Sequence, residues 1–416
     1  MDNLPKLIQE TEELTNQFLT ANKSLYLVGG VVRDLFLKSE ITSEVDLDLT
    51  TDALPEEIKQ IVSPIAKNLW LPGEKFGTIG IHHNDRTYEI TTHRAESYDS
   101  NSRKPEVTYS TNIEEDLSRR DFTINAMAIS LPQGTLIDPF NGKNDLSEGL
   151  LRTPLTPEES FSDDPLRMLR AARFTAAYNL TPAPELVSAI PALIDRFPIV
   201  SAERIIGELD KLLQAENPDR GLHLLHDTGL LKAFLPEVAS HRFQYLSSLP
   251  LDPNIRVAAL LAETQPDKYV KRLRQLRYSN ERISSIQQVI AGANGILNDP
   301  SSDSDYRRWY YQISDKRVES YLIALTLSEN VEDIWEKMEI TRQRLGNDLD
   351  DFSLPVTGNE IIELLDVEEG RIIGEALQHL QKLRFDNGPF SSEDAREILQ
   401  DWWNIRSNNP EETNQK

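Results

Sequence analysis

Asp46 and Asp48 alternate with Val45, Leu47 and Leu49, and that alternation sets what they can do. In a strand, successive side chains point to opposite faces, so the aliphatic residues share one face and the two carboxylates the other. Paired hard oxygen ligands suit Mg²⁺, which takes one or two carboxylates and completes its shell with water and phosphate oxygens. Upstream, Leu25-Tyr26-Leu27-Val28 runs into Gly29-Gly30 and then Val31-Val32-Arg33-Asp34-Leu35. A strand-length apolar run, a glycine pair and a helix start offer backbone N–H donors and a helix dipole to a triphosphate. Arg33 would add a charge-assisted contact to phosphate oxygens. Alone, each piece reads as a tight turn or a solvated strand face. In this order and spacing they describe a metal-dependent nucleotidyl transfer site.

Other residues extend that chemistry. Glu89, in the alternating run Arg86–Thr92, is a candidate third carboxylate for the metal, and equally an exposed strand residue. In Arg119-Arg120-Asp121-Phe122-Thr123-Ile124-Asn125-Ala126, polar groups interleave with core types, and Arg120 and Asp121 are placed to bond ribose hydroxyls and phosphate. The segment Asp163-Asp164-Pro165-Leu166-Arg167, continuing to Arg170, Arg173 and Phe174, reads as a helix with Pro165 at its first position and Asp164 favoured by the dipole. Asp164 and Arg167 stand three apart, nearly on one face. A carboxylate beside a guanidinium can read a base edge. Asp accepts from the exocyclic amine of cytosine or adenine, Arg donates to the ring acceptor, and uracil and guanine present a carbonyl instead. Without the upstream motifs, the same residues would read as a salt-bridged helix.

Weaker signals remain. His226-Asp227 resembles a metal dyad but has no second pair, so a structural role is favoured. Ser201-Ala202-Glu203-Arg204-Ile205 with Glu208 reads as a helix start that buttresses a neighbouring helix. Lys268, Lys271, Arg272, Arg274, Arg277 and Arg282 read as one basic helix that suits RNA phosphates and equally a solvated face. Arg307-Arg308-Trp309-Tyr310 has an aromatic-plus-basic flavour that suits either RNA contact or core.

These residues need elements to position them. At 416 residues the chain calls for two to four domains. Strand signals at 25–28, 45–49, 78–83, 87–92 and near 134–138 mix with helices in the first ~150 residues, giving an α+β head. From Phe161 onward strand signals vanish and an all-α remainder is expected, with a loop over 298–305, a boundary near 346–353 and a frayed end from Ser407. No Cys is present, which excludes disulfides and thiolate metal sites. No stretch reads as a signal peptide or a membrane span, so a soluble cytoplasmic protein is expected. The 44 Lys and Arg against 68 Asp and Glu give −24, which argues weakly against a polyanionic partner, since a binding face can still be locally basic.

In this order the motifs resemble the class II (bacterial-type) tRNA nucleotidyltransferases of the DNA polymerase beta superfamily, the CCA-adding enzymes. The resemblance is carried by Leu27-Val28-Gly29-Gly30 through Asp34, the Asp46/Asp48 pair, 119–126, Asp138-Pro139-Phe140-Asn141-Gly142-Lys143, the Asp164/Arg167 helix and 201–205, with weaker matches at 354–358 and 370–374. One departure is Asp163, where the family usually has Glu. The resemblance implies a nucleotidyltransferase head (1–148), a helical neck with the nucleotide-selecting helix (149–230), a helical body (231–346) and a tRNA-binding tail (347–416) in a hooked shape.

It further implies Asp46 and Asp48 as ligands of two catalytic Mg²⁺ ions. Gly29, Gly30, Arg33 and Asp34 would serve the triphosphate, and Arg120, Asp121 and Asn125 the sugar. Asp164 and Arg167 would act as the amino-acid template, supported by Arg170 and Arg173. CTP and ATP would be the substrates and the tRNA 3′ end the acceptor, its 3′-hydroxyl attacking the α-phosphate in line with release of pyrophosphate and no histidine base. No membrane and no obligate protein partner are expected. Within the family, A-only addition, CC-only addition and poly(A) synthesis share the head. The run Arg94–Val107 resembles the full-length flexible loop that CC-only enzymes shorten, and the chain lacks the basic C-terminal region usual in poly(A) polymerases. A non-enzymatic tRNA-binding protein is disfavoured by the presence of both aspartates and the Asp-Arg pair.

Overall fold

The computed structural model describes residues 3–37, 46–73, 77–97, 106–313 and 315–408. These fall in two compact units, Met1–Ser247 and Ser248–Lys416.

The first unit opens with helices α1 (Leu4–Glu10) and α2 (Glu12–Thr20), then strand β1 (Leu25–Val28), α3 (Gly30–Leu37), β2 (Leu47–Thr51) and α4 (Pro55–Val62). Strands β3 (Asn68–Gly73), β4 (Thr78–His83), β5 (Arg86–Thr92), β6 (Arg94–Ser97) and β7 (Glu106–Tyr109) follow. Next come α5 (Ile113–Ser118), β8 (Ala128–Leu131), β9 (Leu136–Ile137) and α6 (Gly142–Glu148). Seven strands form one mixed sheet in the order β3-β4-β5-β2-β1-β8-β9, and β6 and β7 pair separately. β2 runs parallel to β5 and antiparallel to β1. Leu27, Leu47, Leu49, Ile79, Ile81 and Ile90 are buried between the sheet and the helices, each contributing roughly 1.5–3 kcal/mol by its removal from water. That core fixes the register, because a one-residue slip would turn Leu47 and Leu49 outward.

The strand expectations at 25–28 and 78–83 match the structure residue for residue. The run at 45–49 becomes a strand only from Leu47, with Asp46 immediately before it, and β9 is shorter than its signal. β3, β8 and the β6–β7 pair carry no clear sequence signal. Strands also do not stop at Phe161: β10 (Leu150–Leu151) pairs in parallel with β11 (Thr181–Pro182). Around that pair stand α7 (Pro157–Asp163), α8 (Leu166–Ala177), α9 (Pro184–Leu193), α10 (Ala202–Leu213), α11 (Asp219–Asp227) and α12 (Leu230–Phe234). α8 is held closely from one side: a Cβ on Gly221 of α11 would sit 2.4 Å from the Ala172 carbonyl oxygen, so only glycine lets the two backbones approach.

The second unit is helical among its described residues. It runs through α13 (Pro253–Leu261), α14 (Pro266–Gln275), α15 (Asn280–Leu297), α16 (Asp303–Ile313) and α17 (Arg317–Leu325). α18 (Val331–Leu345), α19 (Gly358–Leu365), α20 (Arg371–Asn387) and α21 (Ser392–Asn408) complete it. The loop expected over 298–305 is cut short by the start of α16. Arg307 and Trp309 resolve as core: Arg307 pairs with Asp348 at 2.7 Å, and the Trp309 indole donates to the Gly292 carbonyl at 2.8 Å. No described helix is long and apolar enough to cross a membrane.

Candidate active site

A cavity of about 500 Å³ in the first unit gathers Gly29, Gly30, Arg33, Asp48, Arg119, Arg120, Asp121, Asn125, Asp164, Arg167, Arg170, Arg173, Phe174, Arg204 and Lys211. Eight of the fifteen are Arg or Lys and three are Asp, so a chain of net charge −24 carries a strongly cationic hollow. A larger groove of about 810 Å³ lies in the second unit, but its charged lining residues are Asp315 and Asp350, which repel phosphate.

The acidic edge is built by the sheet. Leu47 and Leu49 are buried while Asp46 and Asp48 are exposed, as period-two alternation requires. Asp48 pairs in register with Glu89 of β5, and Glu89 in turn with Gly80 of β4. The protein packed around the Asp48 carboxyl pushes its pKa up; Arg120 offsets this in part, and Asp46 adds to the rise. The Glu89 carboxyl is raised by burial, then by Asp48 and Asp46. Among the described residues no three acidic or imidazole side chains converge into a closed metal cage. An open carboxylate edge of this kind leaves most of a cation's shell to water and phosphate oxygens, the arrangement Mg²⁺ favours. Gly29, at φ +70°, makes room above it: a Cβ there would lie 3.1 Å from Arg120 Nη1 and 3.7 Å from Asp48 Oδ2.

Behind this edge the arginines are held by acids. Asp116, wholly buried on α5, takes Arg120 at 3.0 Å and Arg119 at 3.4 Å. Burial alone would raise its carboxyl, but Arg120 and Arg119 outweigh it and hold the pKa below the ordinary range. Arg33 is equally committed. It donates to Asn125 Oδ1 at 2.7 Å, to Asp34 Oδ1 at 3.0 and 3.1 Å and to the Tyr178 hydroxyl at 2.6 Å, and its guanidinium stacks 4.2 Å from the Tyr178 ring centre. Asp121 accepts from Arg170, from Asn125 at 3.0 Å and from the Phe122 N–H at 2.8 Å. Burial opposes its ionisation, yet Arg170 and these hydrogen bonds leave its pKa lowered. Asp121 therefore ties the sheet domain to α8.

Asp164 stands just ahead of α8 in extended backbone, and its Oδ1 accepts the Leu166 N–H at 3.1 Å. The expected i, i+3 neighbour Arg167 also lines the cavity, but the two side chains bond elsewhere. Arg167 donates to Ser160 Oγ at 3.0 Å and to the Arg119 carbonyl at 2.5 Å, whereas Asp164 Oδ2 receives Arg204 of α10 at 2.6 Å. Glu208, one turn along α10, reaches Arg170 at 3.2 Å and forms an ion pair with Arg173 at 2.6 Å, at an angle outside hydrogen-bond geometry. The segment 201–208 is thus a capped helix start, Ser201 Oγ accepting the Arg204 N–H at 3.4 Å, that also braces α8.

Arg119, Phe174, Arg204 and Lys211 line the cavity without having been singled out for it. Helical spacing could have found two groups: Phe174 lies on α8 four residues before its C-cap Tyr178, and Arg204, Glu208 and Lys211 lie at i, i+4 and i+7 on α10. Lys268, Lys271, Arg272 and Arg274 belong to the second unit; the basic run does not form one helix, because α14 ends at Gln275, Arg277 turns at φ +65° and Arg282 lies on α15. On α14, Tyr269 and Leu273 face the core, Lys268, Lys271 and Arg274 are exposed, and Arg272 is half-buried. His226 pairs with its neighbour Asp227 at 3.0 Å. Most of the run expected to form a flexible loop, residues 98–105, lies outside the described residues.

Residues 25–152 match the family model for the Poly A polymerase head domain, and 179–242 that for the probable RNA and SrmB-binding site of polymerase A. A CCA-adding enzyme of Bacillus velezensis is 30% identical over 403 residues, covering 94% of this chain and 97% of the relative. The chain belongs to the CCA-adding enzyme family. A second family member, from Streptococcus gordonii, is 34% identical over 70% of this chain and 73% of its own length. Among solved structures, the CCA-adding enzyme of Bacillus stearothermophilus in complex with CTP aligns with a TM-score of 0.75 at 26% identity, over 96% of this chain and 98% of that one. The α+β head and helical remainder described above are the fold of this family, and the chain is a nucleotidyltransferase.

Proposed function

We propose that this enzyme adds the terminal CCA to the 3′ end of tRNA, taking CTP and ATP without a nucleic-acid template and releasing pyrophosphate. The observation that carries the reading is the cavity itself, which joins the Asp48 edge to the Asp164 and Arg167 side chains within one cationic hollow. A triphosphate fits among Arg119, Arg120, Arg173 and the Gly29-Gly30 turn, where guanidinium donors and the helix N-terminus meet its charge. At the other side, Asp164 accepts from the amine of cytosine or adenine and Arg167 donates to the neighbouring ring acceptor. Phe174 and Arg170 support that wall.

Asp46 and Asp48, with Glu89 beside them, would hold Mg²⁺. When bound, the cation supplies a lowered pKa at the RNA 3′-hydroxyl and neutralises the triphosphate. Chelation with EDTA should abolish incorporation and added Mg²⁺ restore it. Lys268, Lys271 and Arg274 on α14, with Arg272 between them, are proposed contacts to tRNA phosphates; reversing two of the exposed charges should raise the KM for tRNA and leave that for CTP unchanged. The division into head, neck, body and tail at 148, 230 and 346, and a cytoplasmic location, belong to the same reading.

The deciding experiment is incorporation of labelled CTP and ATP into tRNAs ending before CCA, after C and after CC. Extension of all three to CCA and no further is expected. Extension of the CC-ended tRNA alone, by one A, would instead mean an A-adding enzyme with a separate CC-adding partner. Long A-tails would mean a poly(A) polymerase.

A further inference from the structure

Arg204 has no part in the reading above, yet it touches the residue on which nucleotide choice depends. Asp164 and Arg204 come from different elements, the segment ahead of α8 and the first turn of α10. Arg204 Nη2 donates to Asp164 Oδ2 at 2.6 Å, and the Leu166 N–H donates to Asp164 Oδ1 at 3.1 Å. Each carboxylate oxygen therefore has one protein donor and keeps a further lone pair for a ligand. Two donors from two directions also fix the plane of the carboxyl group. Arg204 is itself positioned: Ser201 caps its helix, and Glu208 one turn later pairs with Arg170 and Arg173 of α8. Arg167 leaves this arrangement undisturbed, because its own donors go to Ser160 and the Arg119 carbonyl.

We propose that Arg204 is a specificity-determining positioning residue, which through its ion pair holds Asp164 as an oriented, acceptor-only carboxylate. The inference deepens the base-reading role given to Asp164 and rests on it. A carboxylate that only accepts takes the exocyclic amine of cytosine or adenine and repels the O4 of uracil or the O6 of guanine. A carboxylate free to rotate loses its alignment with that amine, and with it the preference for cytosine and adenine. The Arg204 and Leu166 donors hold the plane of the carboxylate and close that route. Selectivity against UTP and GTP is then a property of three side chains, Asp164, Arg167 and Arg204, the last acting without touching the base.

The test measures kcat/KM for CTP and for UTP on tRNA lacking CCA, in the full-length enzyme and in Arg204→Gln, Arg204→Lys, Asp164→Ala and the double variant Asp164→Ala/Arg204→Gln. Arg204→Gln should lower the CTP-to-UTP ratio by about tenfold or more, a part of the roughly 10⁴–10⁵ that a site built around hydrogen bonds can discriminate. The effect should fall mainly on the KM for CTP, and Arg204→Lys, which keeps the charge, should retain most of the ratio. In the Asp164→Ala background the Arg204 change should do nothing further, because residues that act as a unit are not additive. The pair is half-exposed, 52% for the Arg204 side chain and 29% for Asp164, so these variants should fold, and unchanged melting temperatures check that. A ratio unmoved by Arg204→Gln but collapsed by Asp164→Ala overturns the proposal and leaves the base-reading role standing. An equal drop with and without Asp164 also overturns it, since Arg204 would then act by another route. A ratio that survives Asp164→Ala removes the base-reading role, and the proposal with it.

Discussion

Asp48 is held in a state that costs the folded chain stability. The protein packed around its carboxyl and the neighbouring Asp46 push it up despite Arg120, and Glu89 is raised by burial and by both aspartates. For an acid whose folded pKa is raised, folding favours the protonated form. The penalty is absent below the unfolded pKa, near 3.9 for Asp and 4.3 for Glu, and fully present above the raised folded value. At neutral pH, Asp48→Asn should therefore raise the melting temperature of the metal-free protein while abolishing incorporation. Mg²⁺ should raise the melting temperature of the unmodified chain and leave that of the variant unmoved. A variant that melts lower and still turns over would sink the assignment. Gly29 makes the complementary case by space rather than charge. Its φ of +70° strains any residue with a Cβ, and a methyl group there would push Arg120 Nη1, 3.1 Å away, by a few tenths of an ångström, so Gly29→Ala should cost about 1 kcal/mol or more and lower kcat/KM for both nucleotides.

Between elements, the decisive joint is the one α10 makes with α8. Glu208 is 5% exposed and meets both Arg170 and Arg173. Removing one partner of a buried ion pair leaves uncompensated charge, at ~3–5 kcal/mol; Arg170 keeps some solvent access, so the lower end applies here. Glu208→Gln should show that loss in urea denaturation and should raise the KM for CTP and ATP alike, because α8 carries Arg167 of the proposed base-reading pair. An unchanged midpoint would show that α10 does not brace α8. This joint also marks where the sequence stops being legible. β1 and β4 could be read because dense apolar runs end at glycines or polar turns. β8, Ala128-Ile129-Ser130-Leu131, follows the 119–126 motif without punctuation, and only its antiparallel pairing with β1 reveals it. The candidate site residues that line one cavity were legible where they stand in contiguous motifs. Their partners were not, because Asp164 and Arg204 are forty residues apart and only the packing of α8 against α10 unites them.

Across the whole molecule, two electrostatic demands pull in opposite directions. A net charge of −24 repels itself and destabilises the compact state, whereas the cationic cavity must draw in a polyanion. Salt screens both. Raising NaCl from about 0.05 to 0.3 M shortens the Debye length from roughly 14 to 6 Å, so the melting temperature at pH 7.5 should rise while the KM for tRNA also rises. Acid separates the same contributions. From neutral pH down to about 4, relief of self-repulsion and protonation of Asp48 and Glu89 should stabilise the metal-free protein. Asp116 and Asp121 then reverse the trend. Their pKa values are lowered against burial by Arg120 and Arg119 in one case and by Arg170 in the other. The stability they contribute is present above the unfolded pKa near 3.9 and lost as pH falls through the lowered folded values. A melting-temperature profile without Mg²⁺ should therefore peak below neutrality and drop steeply under pH 4. Asp121→Asn should flatten the acid limb, whereas Asp48→Asn should flatten the neutral one. A profile that declines steadily from pH 7.5 downward would mean that ion pairs, and not self-repulsion, dominate the folded chain at neutral pH.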